Sequence, residues 1–213
     1  MRPMKVYEAR LRAGLSAVAE EAGDFFMGKG DLRQALVQLA RELDREGVAY
    51  CVVGAMALGG HGFARMTEDV NVLVTDEGLA RFQDRLVGRG YAATHPGASR
   101  SFRDVETGVR IEFLVAGEFP GDGKPKPVAF PDPARVASIA EEGVRFVALE
   151  PLVELKLASG LSAPHRLRDL ADVQDLIRVR RLGPELAERL DASVRAGYLD
   201  LWRAVRDAPP DPR

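Results

Sequence analysis

The chain has 213 residues, 46% of them apolar, and a net charge of -2, with an isoelectric point near 6.0. That is enough for one substantial domain, or one domain with a small appendage, and it excludes a wholly basic nucleic-acid clamp, leaving a local basic face open. The single cysteine, Cys51, excludes an internal disulfide and stands in an apolar run, so a reducing, cytoplasmic setting is expected. No stretch nears the eighteen apolar residues of a membrane span, and Glu8, Glu20 and Glu21 among Arg10 and Arg12 are unlike a signal peptide.

In chain order, a helix is expected over Tyr7 to Ala22, broken by Gly28-Lys29-Gly30. Asp31 opens a second, with Leu32, Ala35, Leu36, Leu39 and Leu43 on one face and Gly47 at its end. Val48 to Val53 reads as a buried strand, Gly54 as a turn, Ala55 to His61 as a two-turn helix, and Asp69 to Val74 as a second strand. Thr75 or Asp76 caps a helix holding Leu79, Phe82 and Leu86, closed by Gly90. Ser99 to Val105 and Val109 to Val115 form a hairpin, with Val109, Ile111, Phe113 and Val115 on one face and Arg110, Glu112 and Leu114 on the other. Gly117 to Pro127 is expected to be an irregular, mobile loop. Asp132-Pro133 opens a helix to Gly143, and Val144 to Leu149 is a last strand. Helices over Pro151–Ser159, His165–Val179, Pro184–Arg195 and Tyr198–Asp207 complete the chain, with a frayed tail from Ala208 to Arg213. The expected organisation is an N-terminal extension (1–30), an α+β core with a mixed sheet and flanking helices (31–150), and a C-terminal helical segment (151–213).

Asp69 and Asn71 lie one residue apart on a strand and so point to one face, their Cα atoms about 7 Å apart. Two oxygen-bearing side chains so placed suit a hard cation such as Mg²⁺, which takes one or two carboxylates together with phosphate oxygens. Gly54 lets backbone approach a ligand, the helix after it aims free N–H groups there, and Arg65 can reach a phosphate. Plainer readings stand beside these. Asp69 also suits a cap at a strand edge, Asn71 a backbone hydrogen bond, and Gly54 a simple turn. Glu112 alone reads as a solvated strand face. Lys156 reads as a snorkelling lysine or a phosphate contact. Asp169 falls in a charged run with an Arg168–Asp172 pair, the usual mark of a salt-bridged helix face. His61, His95 and His165 lack zinc-ligand spacing, and no Ser-His-Asp or Cys-His arrangement can be assembled.

The run VVGAMALGGHGFARMTEDVNVLV resembles the nucleotidyltransferase superfamily of the polymerase-β type: strand, small-residue turn, short helix, then a strand bearing Asp-x-Asp, with a third carboxylate on a later strand, here Glu112 in VRIEFLV. The stretch LVELKLASG…HRLRDLADVQDLI resembles the helical part of abortive-infection-type nucleotidyltransferase toxins and their bacterial relatives, so that the resemblance spans Leu32 to Val179. It implies nucleotidyl transfer from a nucleoside triphosphate, with Mg²⁺ or Mn²⁺ on the phosphates and an RNA, protein or small-molecule acceptor. A cognate antitoxin partner is implied if the chain is the toxin of a two-gene system. Gly54 and Ala55 take the phosphate-turn place, Asp69 and Asn71 the first two metal-ligand places, and Glu112 the third carboxylate's, credited with activating the nucleophile. Lys156 and Asp169 take the places of a lysine and an acidic residue aimed at the cleft. Lys124, Lys126, Arg100 and Arg103 are the local hint of a polyanionic acceptor.

Two positions depart from the pattern. Ala55 replaces Gly or Ser. Asn71 replaces a carboxylate and removes one negative charge beside a divalent ion, where a unit charge at 4 Å is worth about 4 kcal/mol at an effective dielectric of ~20. An alternative expectation follows: a nucleotide- or partner-binding module of the same fold with weakened or absent catalysis.

Overall fold

The computed structural model describes residues 31–63, 65, 67 and 69–209. The helix expected over Tyr7 to Ala22 lies outside them. The chain divides into two compact units, one from the described residues up to Gly117 together with Pro131–Ala148, the other from Glu118–Phe130 and Leu149 onward. Among the described residues, no helix is long and apolar enough to cross a membrane.

The first unit is built on a mixed seven-stranded sheet, in the order β3-β4-β5-β2-β1-β7-β6. Its strands are β1 (Tyr50–Val53), β2 (Asp69–Val74), β3 (Tyr91–Ala93), β4 (Ser101–Asp104), β5 (Arg110–Val115), β6 (Ala137–Glu141) and β7 (Val144–Val147). Its helices are α1 (Asp31–Arg45), α2 (Gly54–Gly60), α3 (Asp76–Leu86) and the single turn α4 (Pro133–Val136). The valine-rich β2 is central, antiparallel to β1 and parallel to β5. α1 buries the leucine stripe read from its spacing and ends before Gly47, whose φ of 65° suits glycine. Thr75 caps α3 by accepting from Gly78 N at 3.0 Å.

Alternation along β5 is as expected: Val109, Ile111, Phe113 and Val115 are buried, while Arg110 is exposed and Glu112 half-buried. The ring of Phe113 packs on Phe82 of α3 at 4.5 Å between centroids, and Phe102 and Tyr91 stand 5.1 and 5.2 Å from Phe82. α3 therefore covers the face to which Val70, Val72, Ile111 and Phe113 turn, and Asp69, Asn71, Arg110 and Glu112 take the other face by alternation.

One expectation for this unit is corrected. The helix expected from Asp132 to Gly143 stops after one turn, and Ala137–Glu141 forms the edge strand β6, antiparallel to β7. Glu142 and Gly143, at φ 53° and 82°, make the two-residue reversal that a tight hairpin needs. Asp132 does cap the short helix, accepting from Ala134 N at 2.9 Å. The short strand β3 had no counterpart in the sequence reading.

The second unit contains α5 (Leu149–Ser162), α6 (Leu167–Arg180) and α7 (Ala192–Asp207), with 3₁₀ turns at Pro164–Arg166 and Pro184–Arg189. The helix expected over Pro184–Arg195 is thus a 3₁₀ segment, and Asp191 starts a fresh helix that absorbs the one expected from Tyr198. Its carboxylate accepts from Ser193 N at 2.9 Å and Ser193 Oγ at 2.6 Å, and these bonds hold the carboxyl below the usual range. Asp191→Ala is expected to cost about 1 kcal/mol, seen as a fall of about 2–4 °C in Tm in a thermal melt.

The Gly/Pro stretch is irregular as expected, yet it is tied down within this unit. Lys126 Nζ donates to Pro120 O and to an Asp122 oxygen, both at 2.5 Å. Gly121, at φ 77°, backs so closely on α5 that a Cβ there would stand 2.7 Å from Ser159 O.

Candidate functional site

The face of β2 and β5 turned away from α3 gathers the unit's candidate chemistry. In the parallel ladder Asp69 pairs with Arg110 and Asn71 with Glu112, while Val53, the residue before Gly54, pairs with Asn71 from the other side. Adjacent strands put the Asn71 and Glu112 Cα atoms about 4.8 Å apart, within joint reach of one ligand. Asp69, Asn71 and Glu112 are all half-buried.

Each of these side chains is oriented by a neighbour. Thr67 Oγ1 donates to Asp69 Oδ1 at 2.8 Å, aiming the carboxylate. The Asn71 side chain lies against Gly54: a Cβ built on Gly54 would meet Asn71 Nδ2 at 3.2 Å and its Cβ at 3.3 Å. Gly54 also has φ 67°, so the turn needs glycine for both its backbone and its neighbour. Glu112 accepts from Arg110 Nη2 at 2.9 Å, and Arg110 Nε donates to Ser101 Oγ at 3.2 Å.

α2 starts at Gly54 without a side-chain cap, because Val53 precedes it. Seven residues sum only a small dipole, so what the turn offers is close backbone approach. Ala55 is buried and can contribute only its backbone there. Arg65 is half-buried in the connection from α2 to β2. His61 is buried, its Nε2 2.8 Å from Val147 O, where it ties the end of α2 to β7.

No three His, Cys, Asp or Glu side chains among the described residues form a metal-binding group. The donors on this face are two carboxylates and one amide oxygen. That set does not suit an ion held by protein alone. It does suit Mg²⁺ arriving on a triphosphate, which takes only one or two protein carboxylates in addition to phosphate oxygens.

No family model matches this chain. No curated protein matches it either. Among solved structures it is similar to the antibiotic-resistance factor ANT(2'')-Ia, whose solution structure aligns with 82% of this chain and 99% of its own, at 14% identity and a TM-score of 0.48.

Lys156 and Asp169 belong to the second unit, and there they engage each other. Lys156 on α5 is 4% exposed; its Nζ lies 3.1 Å from Asp169 Oδ1 and 2.6 Å from Asp172 Oδ2 on α6. Asp169 Oδ2 accepts from Ser159 Oγ at 2.6 Å and from Arg166 Nε at 3.0 Å. Burial pushes the Asp169 carboxyl up, but the Lys156 cation, the Ser159 hydroxyl and the Arg166 guanidinium outweigh it and hold the group below its ordinary value. Lys156 is thus no snorkelling lysine, and Asp172, expected to pair with Arg168 on a solvated face, is 2% exposed against Lys156.

Sequence reasoning overlooked four participants: Thr67, Ser101, Ser159 and Arg110 as the partner of Glu112. Thr67 and Arg110 each precede a candidate carboxylate by two residues, the spacing that places side chains on one face of a strand. Ser101 and Ser159 are brought in by the β4–β5 register and by α5–α6 packing, and no local signal marks them.

Proposed function

We propose that this chain is a nucleotidyltransferase that binds a nucleoside triphosphate with Mg²⁺ or Mn²⁺ on the Asp69–Asn71–Glu112 face. The observation that carries the reading is the convergence of those three side chains on two adjacent parallel strands, directly beneath a glycine whose α-carbon backs on Asn71. Asp69, Asn71 and Glu112 would hold the metal, which would supply charge neutralisation to the phosphates. Gly54 would let backbone approach them, and Arg65 would donate to an oxygen. An acceptor hydroxyl would attack the α-phosphorus, the bond to the β-phosphate would break, and pyrophosphate would leave. Glu112 would take the hydroxyl proton. The acceptor would be an RNA, a protein or a small molecule, and a cognate antitoxin would be the partner if the chain is the toxin of a two-gene system.

For Lys156 and Asp169 we propose a structural charge cluster in place of the catalytic role the resemblance implies. Every oxygen of Asp169 is already engaged inside its own unit.

A second reading, a binding module without catalysis, is favoured by one specific observation: Asn71 is neutral and Glu112 is paired to Arg110. One assay separates the two. Purified protein is incubated with each α-labelled triphosphate, Mg²⁺ or Mn²⁺, and total RNA or cell protein. Transfer is expected with the wild type and should disappear in Asp69→Ala. If no label moves until Asn71 is replaced by Asp, the binding module is the better account, and the fraction that carries label identifies the acceptor class.

A further inference from the structure

The Arg110–Glu112 pair has a place in the proposed site that a bare acidic pair lacks. Arg110 is directly opposite Asp69, two residues before Glu112 on the same face, and half of its side chain remains exposed. Its Nη2 engages Glu112 and its Nε engages Ser101. The neighbouring Arg103 directs Nη1 to Gly108 O at 2.5 Å, the bond that holds it to the β4–β5 turn. Arg110 is therefore a cation positioned next to both carboxylates. A planar guanidinium binds phosphate as readily as carboxylate, with donors in a fixed fork.

We propose that Arg110 is a triphosphate-binding residue that is masked by Glu112 and exchanges Glu112 for a phosphate group when the nucleotide arrives. The exchange rests on the nucleotidyltransferase reading of this face and adds a coupling to it. Nucleotide binding and release of the third carboxylate become one event, so that Glu112 is free for the acceptor's proton only when a triphosphate is present.

The test is calorimetric titration of the full chain with ATP in metal-free buffer, using wild type, Arg110→Gln, Glu112→Gln and the double variant, each checked by circular dichroism. Losing a charge-assisted phosphate contact should weaken binding by on the order of tenfold in Arg110→Gln. Glu112→Gln should unmask Arg110 and tighten binding by several-fold, and this gain should be absent in the Arg110→Gln background. A gain of equal size in both backgrounds would show simple removal of negative charge and overturn the exchange, as would the absence of any gain. Retention of wild-type affinity by Arg110→Gln overturns it independently. If none of the four proteins binds ATP, with or without Mg²⁺, it is the nucleotidyltransferase reading itself that fails.

Discussion

Replacing Lys156 by alanine is expected to destabilise the protein by about 3–5 kcal/mol, because it takes the Lys156 cation away from two buried carboxylates. Asp169 and Asp172 are 7% and 2% exposed, so water cannot take over the role of the ammonium. The loss should appear in urea unfolding followed by circular dichroism. Converting both aspartates to asparagine in the same chain, Lys156→Ala/Asp169→Asn/Asp172→Asn, should recover much of it by removing buried negative charge. A catalytic lysine would behave differently: Lys156→Ala would fold with wild-type stability and lose only transfer. The cluster also predicts an acid limit. The folded carboxyl of Asp169 titrates below its ordinary value. Its contribution to stability is therefore complete above the unfolded carboxylate value of about 3.9 and is lost as pH falls through the lower folded value. Asp169→Asn should be less stable than wild type at neutral pH and show a shallower decline below about pH 4.

Gly54→Ala is expected to damage both stability and nucleotide binding. Holding a non-glycine residue at φ 67° costs on the order of 1–2 kcal/mol. The new methyl group would also press on Asn71 at 3.2–3.3 Å, displacing an amide that the proposed site needs. Tm should fall by several degrees, at about 2–4 °C per kcal/mol for a chain of this size, and triphosphate affinity should fall by at least about tenfold. Adding Asn71→Ala should remove the Nδ2 contact at 3.2 Å but keep the Cβ contact at 3.3 Å, so the double variant should recover only part of the stability lost in Gly54→Ala while still binding poorly. Wild-type affinity in Gly54→Ala would mean that no ligand approaches this turn.

The strands and the turn that carry the candidate site were legible because each has a local cause. β2 coincides with the valine-rich run Asp69–Val74, and α2 starts at Gly54. The alternation in β5 by itself assigns Glu112 to the face opposite Phe113. Where the reading failed, the determinant was nonlocal or competed with a local signal. Pro133 starts a helix and Ala137–Glu141 would continue one, but pairing with β7 and the positive-φ reversal at Glu142-Gly143 turn the segment into an edge strand. Asp191 falls inside the helix expected over Pro184–Arg195, but its carboxylate accepts from Ser193 N two residues on, a capping arrangement that starts a new helix there. The pairing of Arg110 with Glu112 depends on which rotamers two neighbouring side chains select. The Lys156 cluster depends on how α5 and α6 pack, and a charged run in sequence looks the same whether its aspartates face solvent or a buried lysine.

The central claim is that a triphosphate and its metal occupy the Asp69–Asn71–Glu112 face below Gly54. Crystals grown with a non-hydrolysable nucleoside triphosphate and Mn²⁺, measured at the manganese absorption edge, test it most directly. An anomalous peak between Asp69 and Glu112, with phosphate density over the Gly54 turn, is the predicted result. A triphosphate bound elsewhere on the protein, or full wild-type affinity in solution with this face empty in the crystal, would contradict it.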